Sequence, residues 1–122
     1  MAETEKIIYI VTHAGEDPER ASLPFVLANA SQAMEVEAVV VLQGPSVFLA
    51  KGDCLQHVFA AGLPPLKQLV DSFLENGGKL LVCTPCIKER NIKETDLIKG
   101  AHPTAAGALV QEILSANATL VY

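Results

Sequence analysis

The sequence predicts a single α/β domain built on a parallel sheet with helices covering both faces. Three observations carry this reading. Short runs rich in Val, Ile and Leu recur at Ile7–Val11, Val36–Leu42 and Leu80–Val82, and unbroken apolar runs of this length mark strands buried on both sides. Segments with helical spacing lie between them. Strands alternating with helices need crossover connections, which make neighbouring strands parallel.

Ile7-Ile8-Tyr9-Ile10-Val11 is the first strand, and Thr12 to Glu16 is the loop beyond it. Asp17-Pro18 supplies a cap and a first-turn proline, opening a helix to about Met34. Leu23, Val26, Leu27, Ala30 and Met34 are assigned to its inward face, and Pro24 is expected to kink it or delay its start. Val36 to Leu42 is the second strand, ending in Gln43-Gly44-Pro45. Ser46 to Ala50 reads as a short helix or a strand, and Lys51-Gly52-Asp53 as a turn.

Pro64-Pro65 opens the next helix, with Leu66, Leu69, Val70, Phe73 and Leu74 at helical spacing, and Asn76-Gly77-Gly78 ends it. Lys79 to Val82 is the third strand. Ile92 to Gly100 reads as a turn with a brief helical piece. Pro103 to Ala116 reads as a helix capped by His102, with Leu109, Val110, Ile113 and Leu114 inward. Thr119 to Tyr122 is the last strand.

The 122 residues, half of them apolar, make one domain over 1–122 with material enough for a core without staples. A net charge of −5 and the absence of Trp argue against nucleic acid and anionic membranes as partners. The start, Met1 to Lys6, is acidic and polar, unlike a signal peptide, and no apolar run approaches the roughly 20 residues that span a bilayer. The expected location is therefore cytoplasmic. There, three cysteines are expected to be reactive, metal-binding or buried rather than a disulfide framework. Gly44-Pro45 and Gly77-Gly78 match no phosphate-binding loop, so no nucleotide cofactor is expected.

Ligands of open parallel sheets bind beyond the carboxyl ends of the strands. Thr12–Glu16, Gln43–Ser46 and Cys83–Cys86 occupy such ends. Cys83-Thr84-Pro85-Cys86 is the most chemically pointed of the three. Thr84 reads as a helix cap and Pro85 as a first helical residue, so Cys83 stands where a helix dipole favours the nucleophilic thiolate. The alternative is a small buried hydrophobe. Cys86, one turn on, has three readings: forming a disulfide with Cys83, sharing a persulfide, or packing beneath the helix. Lys88, Arg90 and Lys93 follow, either as a solvated helix face or as a means of docking an acidic partner or attracting an anionic sulfur donor.

Cys54 and His57 form a second pair with the same spacing, so zinc held by Cys54, His57, Cys83 and Cys86 is weighed. Neither pair resembles a zinc-knuckle turn, and no metal is expected. His13 ends the first strand, either facing solvent or handling a proton near the thiolate.

Thr12-His13 and Gly15 to Ala21, Val39 to Lys51, and above all Leu81 to Ile92 with Asp96 to Ala101 resemble the DsrE/DsrF/TusD-like family of small sulfur-relay proteins. The resemblance covers nearly the whole chain. It implies a three-layer α/β/α domain with a central, mostly parallel sheet of about five strands. It also implies a sulfurtransferase-type carrier, with sulfane sulfur held as a persulfide on Cys83 and passed to a partner thiol. Donor and acceptor proteins would be the partners, and the chain would form a homo-oligomer, trimer or hexamer. Val58 to Leu63 is either a subunit contact or core. An arginine follows the cysteine at the position of Arg90, and Asn91 stands where a glycine is common. Cys86 departs from the single-cysteine pattern and leaves room for disulfide chemistry. With Cys83 and Cys86 as the reacting pair, His13, Thr84 and Arg90 are the expected substrate contacts. Some relatives lack the cysteine and act only as partners. The alternative is therefore a non-catalytic partner- or ligand-binding module whose cysteines are structural or ligate metal.

Overall fold

Five parallel strands form one sheet in the computed structural model, which describes residues 4–122. Met1, Ala2 and Glu3, part of the acidic start, lie outside the described residues. The strands are β1 (Lys6–Val11), β2 (Glu37–Leu42), β3 (Lys79–Cys83), β4 (Ala101–Thr104) and β5 (Ala118–Val121). The helices are α1 (Pro18–Ala33), α2 (Gly52–Leu55), α3 (Leu66–Glu75), α4 (Thr84–Glu89) and α5 (Ala106–Leu114), with 3-10 turns at Gly44–Ala50 and Glu94–Asp96.

The sheet order is β4-β3-β2-β1-β5. The chain steps outward from β1 to β4, then returns past β1 to place β5. Right-handed crossovers put the outward connections on one face and the returning one on the other. Side-chain alternation follows the same division. Tyr9, Val11, Val40, Leu42, Leu80 and Val82 pack with Phe25 of α1 and Phe73 of α3. Ile8, Ile10, Val39, Val41 and Leu81 pack with Leu109 and Ile113 of α5. The second face thus rests on one nine-residue helix.

Helix ends follow their local chemistry. Asp17 caps α1 by accepting the Arg20 N–H at 3.2 Å. Gly77, at φ +83°, turns the chain out of α3, while its N–H reaches Leu74 O and the Gly78 N–H reaches Phe73 O. Those two bonds satisfy carbonyls that the helix end leaves open. The Ser46–Ala50 segment lies within the first 3-10 turn.

Three expectations need correction. Ala101–Thr104 is a strand, so α5 begins at Ala106 and His102 caps nothing. Pro103 is accommodated because β4 is an edge strand, where a missing N–H faces solvent. On α5 only Leu109 is buried, while Val110 and Leu114 point outward. On α1 the buried residues are Ala21, Ser22, Pro24, Phe25, Ala28 and Ser31, and Met34 is 75% exposed. This helix carries apolar residues all round, so periodicity alone could not choose the face. Pro24 sits inside an unbroken helix. In the Val58–Leu63 stretch, Val58 and Ala60 are core and Phe59 is exposed.

Candidate functional site at the carboxyl ends of β2 and β3

Cys83 is the last residue of β3 and caps α4 in position, with extended backbone. It packs against the core cluster of the α1 and α3 face, and it also borders a pocket on the α5 side. It lines a pocket of about 210 Å³ with Val41, Gln43, Pro85, Thr104 and Leu109. The walls are mostly apolar, and α5 supplies one side of them.

Thr84 is not the cap; it begins α4 and donates its hydroxyl to Thr104 O at 2.7 Å. That bond ties the edge strand to the cysteine turn. Cys86 lies one helical turn on, and its Sγ is 2.6 Å from Cys83 Sγ. Both are free thiols, half-buried. The Gly44 N–H donates to Cys86 Sγ at 3.3 Å. Gly44 has φ +57°, a left-handed conformation that glycine adopts without steric cost. Ser46, fully buried, places its hydroxyl 2.5 Å from Val11 O and 2.8 Å from Gln43 O, which fastens this loop to β1.

Arg90 ends α4 and donates to Cys86 O at 3.2 Å. Asn91 follows at φ +55°, the left-handed conformation the sequence reading allows it. Lys88 and Lys93 stay on the exposed surface.

Burial pushes the Cys83 thiol above its ordinary value, and the side-chain hydrogen bond with Cys86 pushes the same way. The Cys86 N–H and the Arg90 charge pull it down, but less. The sequence expectation of a lowered value is thus reversed. The reason is physical: burial among mostly apolar walls desolvates the sulfur, and the neighbouring Cys86 thiol adds to the effect. Cys83 rests as a thiol.

His13 lies apart from the pair. β2 separates β1 from β3, and the His13 ring hydrogen-bonds Glu16 at 2.8 Å. Glu16 also accepts the Ala14 N–H, and this bond, followed by the one with His13, holds its carboxyl below the usual range. Cys54 and His57 line a different cavity of about 390 Å³ with Glu16, Pro45, Phe48 and Val58. Burial, then the nearby Asp53 charge, pushes the Cys54 thiol up. Among the described residues no three His, Cys, Asp or Glu side chains gather closely enough to hold a metal ion. Cys54 and His57 therefore do not form one ligand set with Cys83 and Cys86.

Gly44 and Ser46 went unassigned at the sequence level. Their signal was the Gly44-Pro45-Ser46 turn directly after a buried strand, whose loop was already placed at the binding edge.

A family model described as the DsrE/DsrF-like family matches residues 5–122. The chain is 34% identical over 98 residues to the uncharacterized protein MJ0989 of Methanocaldococcus jannaschii, covering 79% of this chain and 81% of that protein. Its fold is similar to the ychN protein of E. coli, with TM-score 0.81 and 21% identity over 98% of this chain and all, 100%, of that one. It is also similar to MTH1491 of Methanobacterium thermoautotrophicum, a protein of unknown function, with TM-score 0.70 and 13% identity over 97% of this chain and 99% of that one. At these identities the two structures speak for the fold.

Proposed function

The chain belongs to the DsrE/DsrF-like family, and from that premise we propose that it carries sulfane sulfur as a persulfide on Cys83 and passes it to a partner thiol. The observation that carries the reading is the placing of Cys83. It ends a central strand, lines the pocket at the binding edge of the sheet, and feels the Arg90 charge. Loading needs a reachable sulfur and no cofactor: a thiolate attacks the outer sulfur of a donor persulfide and expels the donor thiolate. Arg90 favours the anionic forms of that sulfur. Thr84 acts on substrate only indirectly, through the pocket wall at Thr104. His13 is left to the neighbouring loop.

Among the described residues no helix is long and apolar enough to cross a membrane. A reducing cytoplasm suits paired free thiols and is part of the proposal. So is a homo-oligomer. Val110, Leu114, Leu120 and Val121 are exposed on α5 and β5, Leu114 by 80%, and large apolar side chains left in water favour contact with a second copy. Sedimentation of Leu114→Asp against wild type tests this: a smaller species supports it, and identical monomers sink it.

The carrier reading is tested with glutathione persulfide as donor, followed by alkylation and intact mass. Cys86→Ser protein should gain one sulfur, mapped to the Cys83 peptide and removed by reductant. The same protein with Cys83→Ser should gain none there. A second reading, a ligand-binding module, draws on the burial that holds Cys83 as a thiol. Absence of any sulfur on Cys83 would favour it.

A further inference from the structure

We propose that Cys86 is the resolving thiol of this site: it attacks the loaded Cys83, releases the carried sulfur as hydrosulfide and closes a Cys83–Cys86 disulfide. The inference rests on the carrier reading and adds a second exit for the sulfur. The two sulfurs occupy different positions. Cys83 lines the pocket and Cys86 does not, so a donor entering there meets Cys83 first. Cys86 stands behind it, 2.6 Å away, with its sulfur fixed by the Gly44 N–H. Gly44 is itself set by the loop that Ser46 fastens to β1. The hydrogen bond from the Arg90 guanidinium to Cys86 O steadies the same turn.

The chemistry balances in two steps. Cys83 thiolate bonds to the outer sulfur of the donor, the donor S–S bond breaks, and the donor leaves as a thiolate that takes up a proton. Cys86 thiolate then bonds to Cys83 Sγ, and the bond between Cys83 Sγ and the carried sulfur breaks. Hydrosulfide leaves with the electron pair. The carried sulfur is reduced by two electrons, and the two thiols are oxidised to the disulfide. An external dithiol reductant returns both to thiols.

Attack on Cys83 Sγ is favoured over attack on the carried sulfur. The former expels hydrosulfide. The latter expels the Cys83 thiolate, a more basic anion because its site is desolvated, and basic sulfur leaves slowly. When no acceptor thiol reaches the pocket, the pair therefore empties itself and stops in the oxidised form. A dithiol reductant then becomes the condition for further turnover.

The test is a single turnover with a stoichiometric amount of glutathione persulfide and no added reductant. Free sulfide is read at an electrode, and the Cys83–Cys86 peptide is read by mass after alkylation. Wild type should release about one sulfide per chain and acquire the disulfide. Cys86→Ser should release little and keep the sulfur on Cys83, with a lifetime roughly tenfold longer or more, since intramolecular attack is lost. Equal persulfide lifetimes in the two proteins would overturn the resolving role and leave the carrier intact. Sulfide release without the disulfide in wild type would overturn it too. No sulfur on Cys83 of Cys86→Ser would overturn the carrier reading, and this inference with it. The wild-type disulfide and sulfide readings stand without any variant, and Cys86→Ala serves if the serine protein misfolds.

Discussion

Gly44 donates its backbone N–H to Cys86 Sγ across 3.3 Å, and that bond joins the loop after β2 to the helix after β3. The donor is a glycine for a conformational reason. Its φ is +57°, and a Cβ added there would meet no atom within 4 Å, so backbone strain alone would penalise a side chain. Gly44→Ala should cost about 1 kcal/mol, a fall of roughly 3–5 °C in melting temperature for a domain of this size. It should also slow disulfide closure after loading. Calorimetry and the sulfide assay check both; an unchanged closure rate would show that Cys86 needs no such anchor.

Cys83 should react with iodoacetamide as a desolvated thiol. Its raised value means that the thiolate is scarce at neutral pH and that the alkylation rate keeps climbing above the ordinary thiol range. A rate that levels off near neutrality would contradict this.

Removing its neighbours should move Cys83 in opposite directions. Cys86 raises it through a side-chain hydrogen bond and charge, so Cys86→Ala should lower its titration and speed alkylation at mildly alkaline pH. Arg90 lowers it, so Arg90→Met should raise it further and slow alkylation. The paired pH profiles give the sign of each directly.

Glu112 of α5 reaches Lys6 at 2.9 Å and Lys79 at 3.0 Å, pinning the pocket's helix to β1 and β3. Burial alone would raise its carboxyl, but the two lysines outweigh it and hold it below the usual range. A depressed folded value stabilises the protein above the unfolded value, and the gain is lost as pH falls through the folded one. Glu112→Gln should therefore cost about 1 kcal/mol at neutral pH. Its melting curve should meet that of wild type in acid below the carboxylate range. Equal stability at neutral pH would show the pairs to be idle.

Phe25 and Phe73 meet edge to face at 5.8 Å, both fully buried, and lock α1 to α3. Phe25→Ala should destabilise the domain by about 3–5 kcal/mol, read from denaturant melts. A loss near 1 kcal/mol would mean that the cavity collapses freely.

Much of the arrangement was legible because it is written in local chemistry. Val39, Val40 and Val41 read as a buried strand, Asp17 as a cap and Gly77 as a stop, since each acts on its own few residues. The loops holding Cys83 and Gln43 were placed at the binding edge, because parallel topology sends all strand ends the same way. β4 was missed because Ala101-His102-Pro103-Thr104 has no strand pattern of its own; pairing with Leu80 to Cys83 makes it one. The buried face of α1 was missed because both faces are apolar.

From the sequence alone came the α/β class, the order of most elements, the family, and Cys83-Thr84-Pro85-Cys86 as the place to look. Tertiary structure decided what those residues experience. It set Cys86 under the Gly44 N–H, spent the Thr84 hydroxyl on Thr104, paired His13 with Glu16, and parted Cys54 and His57 from the other cysteines. It also reversed the direction of the Cys83 titration. The reason is range. Strand and cap chemistry depends on neighbours in sequence, whereas the Thr84 and Cys86 contacts join elements distant in the chain, Thr84 to Thr104 across 20 positions and Gly44 to Cys86 across 42.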